Sequence, residues 1–77
     1  MKKEALKFRG FQNKNYCFQD ASGAMLRFSG VRSDLIYEFQ LRENTNNNVL
    51  FEVSYFTTSD GRNETRIISD LELITQI

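Results

Sequence analysis

The amino-acid sequence predicts a small all-β domain with one short helix, its elements in the order β-β-β-α-β-β. Three observations carry that expectation. Apolar and polar residues alternate with a period of two through most of the chain, the pattern of strands that bury one face. The alternation is punctuated by Gly10, by Asp20-Ala21-Ser22-Gly23, by the Asn-rich stretch 44–48 and by Asp60-Gly61, all of them turn or bulge chemistry. One segment, residues 33–41, abandons the two-residue period for a helical one. With 77 residues, 40% hydrophobic and 13% aromatic, the chain has material for one compact core, so residues 1–77 are expected to form a single domain.

The first strand is expected over residues 4–12. Leu6 and Phe8 share one face, Lys7 and Arg9 the other, and Gly10 breaks the alternation. A glycine inside a strand marks a bulge or a close backbone approach. A bulge swings Phe11 toward the core; without one, Phe11 lies outside beside Lys7 and Arg9. The polar residues 12–15 then turn the chain. The second and third strands are expected over 16–19 and 24–28. Between them, Asp20 suits the first position of a type I turn and Gly23 the following bulge with φ > 0. That turn sets a register in which paired numbers sum to 44. Tyr16 then faces Phe28 and Phe18 faces Leu26, all on one side, with Cys17, Gln19, Met25 and Arg27 on the other.

In residues 33–41, Leu35, Ile36 and Phe39 fall on one helical face. Ser33 is the expected cap, and Asp34 suits the positive end of the helix. A helix this short must pack on the sheet to persist. The fourth and fifth strands are expected over 49–58 and 65–75, paired with numbers summing to 122. Tyr55 then faces Ile67, Val53 faces Ser69, Phe51 faces Leu71 and Val49 faces Leu73. The outer face pairs Phe56 with Arg66, Ser54 with Ile68, Glu52 with Asp70 and Leu50 with Glu72. The expected core is Leu6, Phe8, Tyr16, Phe18, Leu26, Phe28, Leu35, Phe39, Phe51, Val53, Tyr55, Ile67, Leu71 and Leu73.

An antiparallel meander with a helix between its third and fourth strands resembles the OB-fold, a five-stranded Greek-key barrel. The resemblance spans nearly the whole chain and is one of element order and length. An SH3-like barrel is the structural alternative, but it places its helical turn later in the chain. The stretches LFEVSYF and RIISDLELI also resemble the last two strands of a group of short, uncharacterised bacterial proteins.

Composition narrows the chemistry. The chain has no histidine, tryptophan or proline and one cysteine. It therefore has no His/Cys set for zinc, no histidine base and no internal disulfide, and neither a metal nor a cofactor is expected. The unpaired Cys17 suits a reducing compartment. The start MKKEALKFRGFQ lacks an apolar signal region, and no apolar run approaches a membrane span, so a cytoplasmic protein without membrane contact is expected. Asn63-Glu64-Thr65 matches a glycosylation sequon, read as chance without a secretory signal. Net charge is zero but unevenly spread. Residues 1–14 balance to +4, with Lys2, Lys3, Lys7, Arg9 and Lys14 against Glu4, and residues 44–77 balance to −3. This is a mild dipole, equally at home on any solvated surface.

The OB resemblance implies a ligand face across strands two and three, flanked by the loops joining strands one to two and four to five. Those positions hold Lys14, Cys17, Gln19, Met25, Arg27 and Arg62, with Phe11 the one aromatic near enough to stack. Phe11, Lys14, Arg27 and Arg62 are thus the ligand-binding candidates, for a single-stranded nucleic acid or an oligosaccharide held weakly. Glu52 opposite Asp70 is a carboxylate pair, but mid-strand acids are ordinary solvated residues. Cys17 has only Arg27 as an activating neighbour, and a free cysteine commonly behaves as a small apolar residue. The four glycines are too scattered for a phosphate loop, so no enzyme is expected. The alternative is a protein-interaction or self-assembling module, most simply a weak homodimer. Leu50, Phe56, Ile68 and Ile74 share the outer face of the last hairpin, and an apolar patch rimmed by charge marks a contact surface. Cover by the chain's own helix or termini is the competing explanation of that patch.

Overall fold

The computed structural model describes residues 2–43, 48–61 and 63–74. It is an all-β structure with one short helix: β1 (Lys2–Gln12), β2 (Asn15–Gln19), β3 (Met25–Phe28), β4 (Gly30–Val31), α1 (Ser33–Phe39), β5 (Leu50–Asp60) and β6 (Asn63–Leu73). A single 3-10 turn, Leu41–Glu43, follows α1. The strands form one mixed sheet in the order β3-β2-β1-β5-β6-β4. This corrects the expectation of five antiparallel strands. The sixth strand is the short β4, which runs parallel to β6 through Gly30↔Ile67 and Val31↔Ile68. Only Ser29 separates β3 from β4, so one continuous stretch supplies both edges of the sheet. The Ser29 N–H donates to the Arg66 carbonyl of β6 at 3.0 Å.

In the hairpin β2–β3 the sequence register holds: Tyr16 faces Phe28, Cys17 Arg27, Phe18 Leu26 and Gln19 Met25. Its turn chemistry is the reason. The Asp20 carboxylate accepts hydrogen bonds from the N–H groups of Ser22 (3.0 Å) and Ala24 (2.9 Å) and from the Ser22 hydroxyl (2.7 Å). These bonds hold the carboxylate below the ordinary aspartate range. Gly23 sits at φ 93°, where a side chain is strained. In β1 the register jumps between Phe8↔Phe18 and Gly10↔Cys17, so the bulge at Gly10 is present, with φ 122°. Phe11 accordingly turns inward and packs half-buried against the core.

The last hairpin departs from expectation. Near its turn the pairs are Tyr55↔Ile68 and Phe56↔Ile67; beyond a bulge they become Ser54↔Asp70, Val53↔Leu71, Glu52↔Glu72 and Phe51↔Leu73. Ser69 is the extra residue, and its hydroxyl donates to the Ser54 carbonyl at 3.2 Å. The bulge puts Ile68 and Leu71, three apart, on the same face, which a regular strand cannot do. Both are core residues, Ile68 at 1% exposure. Ile68 therefore leaves the outer face where the two-residue period had placed it. Ile67 lies opposite Phe56, half-buried, and Leu73 is 55% exposed, so neither is core.

The core is a set of tilted and edge-on rings. Phe18 meets Phe8 at 5.1 Å and Phe28 at 5.4 Å, Phe28 meets Tyr55 at 5.0 Å, and Phe39 meets Phe51 at 5.1 Å. Leu41, absent from the expected core, is fully buried and anchors the 3-10 turn. Cys17 is also buried. The helix ends two residues earlier than expected, because Gln40 takes φ 50° as a left-handed cap. At its start the capping residue is Arg32, not Ser33, and no side-chain cap bond forms. Arg32 instead donates to the Asp34 carboxylate at 2.8 and 2.7 Å and holds that acid down at about 2. Past Thr57, beyond the pairs with Lys2 of β1 and with Ser29 and β4, β5 and β6 continue to their turn as a two-stranded ribbon among the described residues. No helix among the described residues is long and apolar enough to cross a membrane.

Candidate functional site

A groove lies where the β1–β2 turn approaches α1 and the 3-10 turn. Gln12 pairs with Asn15, leaving Asn13 and Lys14 as turn residues with φ of 51° and 64°. Both positions require φ > 0, as in the primed hairpin turns that favour Asn-Gly. Here lysine stands where glycine is preferred, and its exposed side chain sits at the mouth of the groove. The Gly10 bulge brings Phe11 beside Tyr16, ring centroids 4.7 Å apart. Arg42 lies across both: its guanidinium carbon is 5.6 Å from the Phe11 ring centre, and its Nε donates to the Tyr16 hydroxyl at 2.9 Å. The buried Leu41 beneath it fixes the backbone from which Arg42 projects.

Two open clefts meet there. One, of about 480 Å³, is lined by Phe11, Lys14, Tyr16, Val31, Ile36 and Arg42. The other, of about 350 Å³, is lined by Ser33, Ile36, Tyr37, Gln40, Arg42 and Glu43. They share Ile36 and Arg42, so Arg42 stands at the middle of one groove. Tyr37, on the helix face away from the core, is 83% exposed. Such a groove offers aromatic faces beside fixed positive charge, the combination that holds planar anionic ligands.

The sequence candidates divide. Phe11 and Lys14 come together in this groove. Arg27 does not join them: it pairs with Cys17 on the face opposite Tyr16 and Phe28. Arg62 and the stretch 44–47 lie outside the described residues. Arg42 and Tyr37 were missed, though a signal existed. Leu35, Ile36 and Phe39 define the helix's apolar face, which leaves Tyr37 as an aromatic on the polar one.

The contact candidates are dispersed. Ile68 is core, Leu50 and Ile74 are half-buried, and the Ile74 N–H donates to the Leu50 carbonyl at 3.0 Å. Phe56 alone stays open, at 38% exposure. The carboxylate pair is also rearranged. Glu52 faces Glu72 rather than Asp70, and Lys3 closes a 2.9 Å ion pair with Glu52. Glu52 first, then Glu72 and Asp70, raise the lysine above its ordinary range. This face sets Lys3 beside Glu52, Glu72 and Asp70, and among the described residues no group of three His, Cys, Asp or Glu is placed to hold a metal ion.

At the other end, a polar cleft of about 330 Å³ mixes signs, with Lys2 and Arg66 beside Glu4, Asp20 and Glu64. The Tyr55 hydroxyl there donates to Glu4 at 3.2 Å, and burial, then that carboxylate, pushes its ionisation up. Asp20 is already committed to its turn. The groove around Arg42 is thus the better candidate site. No protein-family model, curated protein or solved structure matches the chain.

Proposed function

We propose that this chain is an OB-like binding module that takes single-stranded nucleic acid in the groove around Arg42. The barrel reading is supported by the path of residues 25–31. Counting β3 and β4 as one bent strand leaves five, with β2 beside its first part and β6, in parallel, beside its second. The helix before β5 favours this reading over an SH3-like barrel.

The observation that carries the function is Arg42, held by the Tyr16 hydroxyl and the Phe11 ring with Lys14 alongside. A guanidinium fixed in this way loses little freedom when it meets a phosphate. An oligosaccharide would use the aromatic faces but leave both positive charges without a partner. The site differs from the strand two–three face that the OB resemblance implies, and it takes Arg27 out of the binding set.

The test is fluorescence anisotropy with a fluorescein-labelled mixed-sequence single strand across a salt series. With Lys14 and Arg42 meeting two phosphates, log K falls against log salt with a slope of about −1.4. Tyr37→Ala costs about 1–3 kcal/mol, the range for loss of one stacked base. Arg42→Ala weakens binding and Arg27→Ala does not. Absence of binding at the lowest salt overturns the proposal, and equal losses for Arg42→Ala and Arg27→Ala return the site to the strand face.

A further inference from the structure

Resting on the nucleic-acid reading, we infer that the Tyr37 half of the groove reads a base edge and selects bases with an exocyclic amino group over uracil and thymine. The two halves of the groove differ in charge, the first lined by two cations and the second by a cation and an anion. Lys14 and Arg42 line the first cleft, whereas in the second Glu43 joins Arg42 and Lys14 is absent. A carboxylate repels phosphate, so the strand's backbone stays at Lys14 and Arg42 and the second cleft takes a base. Tyr37, 83% exposed, supplies the face on which that base stacks.

Glu43 then sets which base fits. An ionised carboxylate only accepts hydrogen bonds. Cytosine and adenine present an amino donor on their pairing edge, and a glutamate accepting from the cytosine amino group is an established readout. Uracil and thymine present one N–H flanked on both sides by carbonyl oxygens, which a carboxylate repels. The position of Glu43 is fixed by its place in the 3-10 turn, where its N–H donates to the Gln40 carbonyl at 3.2 Å and Leu41 is buried below. The cleft, about 350 Å³, lies within the range of small-ligand sites.

The experiment compares fluorescein-labelled oligo(dC) and oligo(dU), each of about twelve nucleotides, within the span one OB module covers. Both are titrated by anisotropy at low salt with the wild type and with Glu43→Ala. The wild type is expected to bind oligo(dC) about fivefold more tightly than oligo(dU), the low end for one base contact in a site open to water. Glu43→Ala is expected to bring that ratio close to one without weakening oligo(dU). The ratio is the readout, since a variant that only perturbed the fold would weaken both strands alike. Equal wild-type affinities overturn the base selection and leave the nucleic-acid reading standing. A preference that survives Glu43→Ala overturns the role of Glu43. Binding of neither strand overturns the nucleic-acid reading and the selection with it.

Discussion

The hairpins β2–β3 and β5–β6 are both antiparallel, yet one keeps a single register and the other changes register midway. In β2–β3 the strands are five and four residues long, and the Asp20-to-Gly23 turn dictates every pair. In β5–β6 each strand has eleven residues, and the turn governs only the nearer half. Beyond Tyr55 the core takes over. It holds Ile68 beside Val31 of β4 and Leu71 opposite Val53, and a bulge at Ser69 is what lets both point inward. A short hairpin can thus be set locally, while a long one is set by whichever buried contacts outweigh its turn. Burying an isoleucine is worth about 1.5–3 kcal/mol, more than the loss of one ladder bond.

The largest expected effect separates the two isoleucines. Ile68→Ala should destabilise by about 2–5 kcal/mol, as a core truncation does. Ile67→Ala, on the half-buried outer side opposite Phe56, should cost under about 1 kcal/mol. Urea denaturation of the two variants checks this. A reversed order would mean that the strand is regular and that Ile67 is the core residue.

The same contrast explains what could be read from residues alone. The β2–β3 register was legible because Asp20 and Gly23 have specific conformational demands and the hydrophobic pattern agrees with them. The inward turn of Phe11 was legible as one of two outcomes, because Gly10 announced a bulge. Nothing comparable announces Ser69. The run Ile67-Ile68-Ser69-Asp70-Leu71 offers either isoleucine to the core, and strict alternation chooses Ile67. The strand β4 has two residues, too few for any period, and its partner is 37 positions away at the Gly30↔Ile67 pair. For the candidate site, Lys14 lies within a recognisable turn and Phe11 just before it, so both could be named from the residues. Arg42 was not, because its place depends on the left-handed residue Gln40 and on the burial of Leu41, both settled by tertiary packing.

Gly23→Ala sharpens the comparison from the other side. A Cβ at Gly23 has room, its nearest neighbour being the Gln19 Nε2 atom at 3.9 Å. The cost therefore comes from the backbone at φ 93° and amounts to about 1–3 kcal/mol. Because the turn sets the β2–β3 register, the loss should appear as faster amide exchange along residues 16–28, with β5–β6 little changed. Uniformly raised exchange in both hairpins would show that the turn does not act locally.

The smallest effect concerns acid. Asp20 has its carboxyl held below the ordinary aspartate value of 3.8 by the Ser22 hydroxyl and then the Ala24 N–H. A carboxyl whose folded value is depressed contributes stability that is fully present above its unfolded value and is lost as pH falls through the folded one. The Asp20 turn should therefore be intact at neutral pH and loosen only below about 3.8. The group is half-buried and bonds to Ser22 and Ala24 of its own turn, so the change is local rather than global. Asp34, held at about 2 by Arg32, should protonate near that value. Amide shifts of Ser22 and Ala24 should follow the Asp20 titration, and those of Leu35 should follow Asp34. Asp20→Asn should abolish the first transition and leave the second. If the Ser22 and Ala24 shifts instead titrate at or above 3.8, the carboxylate is not what fixes the turn, and the register of β2–β3 must rest on Gly23 and the aromatic core alone.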